Sequence, residues 1–261
     1  MTMNLQTNCK KDPNTLFNSR YSGLIKNLLP VVLAMMIFSL TSIVLPAINS
    51  QRFSGEIELG GGLSYSCKGE IIRKNRQVTK STYFFDENDK LILTEIVTFD
   101  ANNFEPISLS SEEDINGSEQ KIERDGISFH LYYKKNFTDK LSEYTMEYQP
   151  LTLHGSNLPV FLSENLDRIG ENGFTCHLIL VPRKMKIEMK FVNKGKVKVN
   201  GRPCYEIQMD AANLVLKPLV KTHYFYFGVD QPHLLYKYTG TIAPTDANGN
   251  DLWGTINFSY H

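Results

Sequence analysis

The clearest candidate for nucleophilic chemistry is the adjacent pair Cys176-His177, because a thiol beside an imidazole can be activated for attack. The residues around the pair predict a β-strand, in which successive side chains point to opposite faces of the sheet. The two side chains therefore cannot form a nucleophile–base dyad with each other. We interpret them as one core thiol and one surface imidazole.

Acid–base and metal chemistry have little support from residue spacing. Glu164 and Asp167 share one face of a predicted helix, where paired carboxylates suit proton transfer, but Arg168 beside them favours a solvated surface. The segment 246–251 places oxygen ligands as a calcium loop does, yet it lacks the glycine and glutamate that such loops need. The scattered histidines have no metal-ligand spacing, so we expect no metal and no cofactor. They are His130, His154, His177, His223, His233 and His261.

An uncharged apolar segment near the start of the chain predicts the location of the protein. Residues 27–51 contain no Asp, Glu, Lys or Arg, and their core of about 21 residues is long enough to cross roughly 30 Å of hydrocarbon. Basic residues precede it, which predicts export of the rest to the periplasm or cell envelope. A cleaved signal peptide and a retained transmembrane anchor both fit. The expected division is a cytoplasmic region at 1–26, the signal or anchor at 27–50, and an exported β-barrel-like domain at 51–261.

Three cysteines lie in the part of the chain that we expect to be exported, where disulfides persist: Cys67, Cys176 and Cys204. Three thiols cannot all pair within one chain. We favour a Cys176–Cys204 disulfide because these two residues lie in nearby predicted strands, although spacing alone does not determine connectivity. The alternative is that all three are small buried hydrophobic residues.

The exported part has the pattern of β-strands almost throughout. Polar and apolar residues alternate from Lys184 to Phe191 and from Ile127 to Tyr133, which is typical of half-buried antiparallel strands. Asp125-Gly126 and Asn200-Gly201 are typical of tight hairpins, whereas the polar segment 108–118 is typical of a loop. We expect a mainly β fold, in which an N-terminal hydrophobic helix precedes a curved antiparallel sheet. This sheet would be an open or half barrel of about ten or eleven strands with one mid-chain helix.

The mid-chain helix is predicted from Leu158 to Ile169. Leu162, Leu166 and Ile169 have helical spacing, and Asn157 or Ser156 is suited to cap the first turn. The helix would have about three turns and pack its apolar face against the sheet.

Aromatic and methionine side chains on the sheet are candidates for lining an adaptable apolar pocket, because methionine is unbranched and soft. An ordinary filled core explains them equally well. The candidate lining residues are Phe129, Tyr133, Phe161, Leu162, Met185, Met189, Phe191, Tyr224 and Tyr226.

Several features together resemble a group of uncharacterised bacterial envelope proteins that are often compared with the lipoprotein carriers LolA and LolB. These features are the leader, the long antiparallel sheet, the single helix, Leu180-Val181-Pro182 at the end of a strand, and the segments 199–207 and 223–240. The resemblance covers residues 55–245. It implies an unclosed, strongly curved sheet around a hydrophobic cavity, with the helix as a lid. No lipoprotein cysteine stands directly after the leader, which argues against a LolB-like lipid anchor, and the resemblance implies no catalytic residue.

Three functions are compatible with these observations. The first is an envelope protein that holds a lipid or other apolar ligand without catalysis. The second is a membrane-anchored structural or assembly partner of other envelope proteins, which would bind through exposed sheet edges. The third is an enzyme with a dispersed histidine and carboxylate site. The chain has 28 basic and 28 acidic residues and no basic stripe, so we expect no nucleic-acid partner.

Overall fold

The computed structural model of the protein describes residues 49–60, 62–213, 215–217 and 220–261. The predicted signal or anchor lies outside these ranges, apart from its last two positions, which begin the first strand. Within the described ranges, no helix has both the length and the apolar character that a membrane span requires.

One sheet of 15 strands dominates this part of the chain. A single α-helix in the described residues, α1 (Leu158–Glu164), precedes short 3-10 turns at Leu166–Arg168 and Val181–Arg183. The strands are β1 (Asn49–Leu59), β2 (Ser64–Lys74), β3 (Gln77–Phe85), β4 (Leu91–Asp100), β5 (Pro106–Glu113), β6 (Glu119–Asp125), β7 (Ser128–Lys134), β8 (Ser142–Glu147), β9 (Thr152–Leu153), β10 (Phe174–Leu180), β11 (Met185–Val199), β12 (Arg202–Ala211), β13 (His223–Gly228), β14 (Leu235–Thr245) and β15 (Asp251–Tyr260).

The sheet consists of two meanders joined by one long-range strand pair. Its order is β8-β7-β6-β5-β4-β3-β2-β1-β15-β14-β13-β12-β11-β10-β9. Neighbouring strands are antiparallel except for β9 and β10, and the pairing of β1 with β15 joins the two halves. The expectation of a curved, open antiparallel sheet with one mid-chain helix is confirmed for the described residues, while the N-terminal hydrophobic helix lies outside them.

The number of strands is higher than predicted, and β5 shows one reason. This strand occupies most of the segment 108–118, for which the sequence predicts a loop. Its inward-facing positions include the polar residues Ser111 and Glu113 beside Leu109. Polar residues on the buried face hide the apolar alternation by which a strand is usually recognised. Gly60 and Gly62 lie between β1 and β2.

The core lies on the concave face of the sheet, where inward-facing side chains from both meanders surround α1. Phe129 of β7, Phe191 of β11 and Phe227 of β13 are completely buried there. Phe161 and Leu162 of α1 belong to the same cluster. Each buried side chain of this size contributes about 1.5–3 kcal/mol of transfer free energy, so the helix is an integral part of the core.

The helix is shorter than predicted, since α1 ends at Glu164 and only a 3-10 turn continues the spacing. Asn165 ends it by donating from its side-chain Nδ2 to the carbonyl of Phe161 at 2.9 Å. Three contacts hold α1 in the sheet. Asn157 Nδ2 donates to the Phe104 carbonyl, Ser163 Oγ donates to the His233 carbonyl, and Arg73 of β2 pairs with Glu164.

Candidate functional site

A cavity of about 530 Å³ remains on the concave face beside the start of α1. Its walls come from both halves of the sheet and from the 3-10 turn at Val181–Arg183. Every second side chain of each strand points toward the cavity. Because several strands contribute, the lining residues are distant in sequence. Its apolar part is formed mainly by Leu178, Ile187, Met189, Met209, Phe225 and Ile256.

A polar cluster interrupts this apolar lining on β3 and β4. Lys80 and Thr82 occupy inward positions between Val78 and Phe84, and Glu95 lies directly opposite Thr82. Glu95 is 8% exposed and Thr82 is 3% exposed. Burying polar groups at positions that would otherwise be apolar costs free energy unless they are hydrogen-bonded. We name Lys80, Thr82, Glu95 and His154 the polar cluster.

His154 enters the cavity from the loop that precedes α1. Its Nδ1 accepts a hydrogen bond from the backbone N–H of Ser156 at 3.2 Å and lies 2.8 Å from the Ser156 hydroxyl. An acceptor role at Nδ1 places the proton of the neutral ring on Nε2. Burial lowers the pKa of His154, and the charge of Glu95 partly opposes this effect. His154 therefore presents a neutral ring with an Nε2–H donor.

Lys80 is the basic side chain of the polar cluster. Its Nζ donates to the Ser156 carbonyl at 3.0 Å, which ties β3 to the loop before α1. Burial lowers the pKa of Lys80, while the nearby Glu95 carboxylate raises it. Within the described part of the chain, no direct ion pair joins the two side chains.

A second polar pair lines the cavity where β13 meets β14. The Tyr238 hydroxyl donates to the Thr241 carbonyl at 3.0 Å and lies 2.8 Å from His223 Nδ1, which donates to it. Burial lowers the pKa of His223 to about 4 and raises that of Tyr238, so both groups are neutral at pH 7. Gly240 leaves room for the pair, because a Cβ at this position would meet both the Tyr238 hydroxyl and His223 Nδ1.

The predicted lining residues separate into three groups. Tyr133 and Met189 line the cavity, whereas Phe129, Phe161, Leu162 and Phe191 are buried in the packed core around it. Met185 lies on the inward side of β11 but at its exposed end. Tyr224 and Tyr226 were expected in the lining, and this was wrong. Phe225 and Phe227 take the inward positions of β13, so the two tyrosines point to the convex face.

The predicted Cys176–Cys204 disulfide was also wrong, since Cys67, Cys176 and Cys204 are free and buried. Cys176 lies opposite Met189, and Met189 lies opposite Ala211 on β12. Cys204 is seven positions from Ala211 along that strand, which is roughly 23 Å at 3.3 Å per residue. A disulfide needs Cα atoms within about 7 Å of each other. The three thiols are small buried hydrophobic residues, the alternative interpretation.

The remaining sequence candidates have structural roles. Glu164 pairs with Arg73 and Asp167 is exposed, so the two carboxylates belong to a solvated surface. The Asp246 carboxylate accepts backbone N–H bonds from Asn248 and Asn250, which makes it the centre of a loop turn. In the described residues, no group of three or more His, Cys, Asp or Glu residues is placed to hold a metal ion.

A second recess, of about 760 Å³, lies over β1, β2 and β15 and is bordered by the β11–β12 turn. Many of its residues are polar and exposed, including Glu56, Lys68 and Arg202. This recess is a solvated groove, and the smaller cavity is the better candidate for a binding site.

The fold places the protein among open, β-barrel-like sheets. No protein-family model matches the chain, and no curated protein does. Among solved structures, it is similar to the β-barrel-like protein of the domain of unknown function DUF1849 from Brucella abortus. That match has 9% identity and a TM-score of 0.50, and it covers 83% of this chain and 98% of that chain. At this identity the similarity concerns the fold alone.

Two further structures are more distant. A DUF1329 family protein from Desulfovibrio piger has 11% identity and a TM-score of 0.26, with 87% of this chain and 88% of that chain covered. A domain from Vibrio parahaemolyticus, whose name refers to outer membrane lipoprotein sorting, has 7% identity and a TM-score of 0.25, with 81% and 84% covered. These TM-scores are too low to support an argument about function.

Proposed function

We propose that the protein is a non-catalytic binding protein of the cell envelope that holds a lipid or other apolar ligand in the cavity of its curved sheet. The observation that carries this proposal is the cavity of about 530 Å³ with a largely apolar lining. Small-molecule pockets typically measure about 300–1,000 Å³ and combine apolar walls with a few polar groups. Met189 and Met209 add flexible side chains that suit acyl chains of varied shape.

The proposed location rests on the sequence. Residues 27–50 have the length and the flanking positive charges of a signal peptide or membrane anchor, and either of these would export residues 51–261. An envelope location would bring the cavity close to lipids. The β-barrel-like fold is compatible with this proposal.

The first test is native mass spectrometry of the full chain, purified from an envelope fraction in an amphipathic polymer that contains no lipid. Organic extraction of the same sample identifies any bound molecule. A reproducible added mass that extracts as a lipid supports the proposal and gives the ligand class. A clean apo mass with no lipid in the extract contradicts it.

A matched pair of variants links binding to the cavity. Ile187 lines the cavity, whereas Ile127 is 81% exposed in the β6–β7 turn. Ile187→Trp should fill the space and abolish co-purification of the ligand, and Ile127→Trp should leave it unchanged. Circular dichroism of both variants shows whether the sheet is preserved. Equal ligand occupancy in two folded variants would place binding elsewhere.

One observation favours an enzyme as a second candidate. The Ser156 hydroxyl lies 2.8 Å from His154 Nδ1, and Glu95 lines the same cavity. A serine, a histidine and a carboxylate can form a hydrolytic site. Against this, Nδ1 also accepts the backbone N–H of Ser156, which is the pattern of a local turn. Hydrolysis of p-nitrophenyl butyrate that disappears in Ser156→Ala would favour the enzyme.

The other candidate, a membrane-anchored structural or assembly partner of other envelope proteins, rests on the edge strand β8. Ser142–Glu147 end the sheet, and an edge strand offers unpaired backbone groups to another chain. Tyr144 of this strand is 42% exposed. Cross-linking in cells from a photoreactive residue at position 144 tests this candidate, and loss of the product in Thr145→Pro would favour it.

A further inference from the structure

The polar cluster occupies positions where the strand pattern calls for apolar side chains. On β3 the inward series is Val78, Lys80, Thr82 and Phe84, and on β4 it includes Leu93, Glu95 and Val97. A purely apolar ligand would gain nothing from these groups and would lose their hydration. A partner with polar atoms would match these groups better.

Thr82 gives the most direct indication of a ligand. Its side chain is 3% exposed, and its Oγ1 has no hydrogen-bond partner among the described residues. Buried hydroxyl groups are nearly always hydrogen-bonded, because leaving one unpaired costs about 1–3 kcal/mol in proteins. Thr82 lines the cavity, so a bound molecule can supply the missing partner.

The charges of the polar cluster restrict the chemistry of that molecule. Lys80 uses one of its three N–H donors on Ser156, which leaves two donors, and His154 adds its Nε2–H. Glu95 contributes a carboxylate that only accepts. The cluster thus contains one basic group, one acidic group and neutral groups, so it offers both donors and acceptors. A head group that both donates and accepts hydrogen bonds fits this set.

Other charged side chains border the cavity nearer to solvent. Arg183 and Asp251 form an exposed ion pair at 3.6 Å, and Lys135 and Lys221 are exposed. These lysines offer an alternative position for an anionic head group at the rim. The buried, unpartnered Thr82 hydroxyl favours the interior position over the rim.

We infer that the ligand is an amphiphile whose neutral, hydroxyl- or amide-bearing head group enters the cavity and is hydrogen-bonded by Lys80, Thr82, Glu95 and His154. The acyl chain then lies along the apolar wall at Leu178, Ile187 and Met209. Acylglycerols and N-acyl amides share this head-group chemistry. The inference rests on the proposed function, since it assumes that the cavity binds an apolar chain.

The test compares three amphiphiles of equal chain length on the full chain: monopalmitoylglycerol, palmitate and hexadecylammonium. Each displaces a pyrene-labelled acyl probe, and the loss of probe fluorescence gives its affinity. Monopalmitoylglycerol should bind at least about tenfold more tightly than either charged compound, because an unmatched charge in the cluster leaves buried groups unpaired.

Thr82→Val is the decisive variant, with Thr79→Val as its matched control. Thr82→Val removes an unpartnered hydroxyl, so the melting temperature of the variant should stay the same or rise. Its affinity for monopalmitoylglycerol should fall about tenfold. Thr79 lies on the same strand with its hydroxyl bonded to Thr98 at 3.2 Å on the other face. Thr79→Val should not change the affinity. Glu95→Gln should lower the affinity for monopalmitoylglycerol and raise the affinity for palmitate.

Failure of the head-group site and failure of the proposed function give different results. If palmitate binds most tightly and Thr82→Val and Glu95→Gln change no affinity, the head-group site is wrong while apolar binding in the cavity stands. If neither the probe nor any amphiphile binds the folded protein, the proposed function fails as well.

Discussion

The Glu113 carboxylate binds both the backbone N–H and the hydroxyl of Thr245, at 2.7 and 2.9 Å, although β4, β3, β2, β1 and β15 separate the two strands in the sheet. Asn116 adds a hydrogen bond to the same hydroxyl at 2.7 Å. This contact shows how far the sheet curves, since the ends of β5 and β14 meet across its concave side. It closes the structure near one end of the cavity.

Glu113→Gln should change how stability depends on pH. Burial raises the pKa of Glu113 above 4.5, and the bonds from Thr245 only partly offset this. The folded state therefore binds this proton more tightly than the unfolded state, so the contribution of Glu113 to wild-type stability falls as pH rises from 4.5 through the folded pKa. Urea unfolding across this range should show a smaller fall for Glu113→Gln. Glu112→Gln, on the exposed face of β5, should behave as wild type, and identical curves for all three proteins would contradict the prediction.

Gly240 should be intolerant of a side chain, because its missing Cβ leaves the space used by Tyr238 and His223. Gly240→Ala should cost about 1–3 kcal/mol by overpacking. Tyr238→Phe should cost about 1–3 kcal/mol by leaving His223 without its partner. Gly170, where a Cβ would meet nothing within 4 Å, supplies the control Gly170→Ala. Thermal unfolding of the three variants measures the differences, and an equal effect at positions 240 and 170 would argue against this packing.

Asn157 should stabilise the position of α1 more than the ion pair at the other end of the helix does. Its fully buried side chain accepts from the His154 N–H at 2.9 Å and donates to the Phe104 carbonyl. Asn157→Ala leaves both backbone groups unpaired and should cost about 2–3 kcal/mol. Arg73→Met removes a half-exposed pair with Glu164 and should cost less than about 1 kcal/mol. Chemical denaturation ranks the two variants, and the reverse order would refute the assignment.

Cys67 and Cys176 should be unreactive in the folded protein. Burial raises the pKa of both Cys67 and Cys176 to about 12, so their reactive thiolate is nearly absent at pH 7. Iodoacetamide should label these residues only after denaturation, as peptide mapping without reductant will show. A linked Cys176–Cys204 peptide, or rapid labelling of Cys67 or Cys176 in the native protein, would contradict the structure.

The sequence predicts the fold class better than the number of strands. The alternation along β7 and β11 and the turn at Asn200-Gly201 are local signals, and each is found where expected. The predicted Cys176–Cys204 disulfide is wrong because β11 lies between β10 and β12, and because strands that are close in the sheet do not bring all their residues together. Register along β12 separates the two thiols, and register is a property of the assembled sheet.

The polar cluster was not recognised from the sequence, although it left a signal. Lys80, Thr82 and Glu95 interrupt apolar alternation on two consecutive strands, and such interruptions indicate inward-facing polar groups. The sequence does not show that His154 lies beside these residues, because it belongs to a loop more than fifty residues after Glu95. That proximity depends on the curvature of the whole sheet.

The pairing of β1 with β15 also has a consequence for how the molecule is built. Every other antiparallel pair of sheet neighbours is consecutive along the described chain and can form early as a hairpin, because closing a short loop costs little entropy. The parallel strands β9 and β10 are joined through α1. The seam between the first and last strands requires nearly the whole described chain to be present. Until it forms, β1 and β15 are unprotected edges, open to pairing with other chains. A cell that makes this protein must therefore shield two half-sheets until Asp251–Tyr260 emerges and joins them.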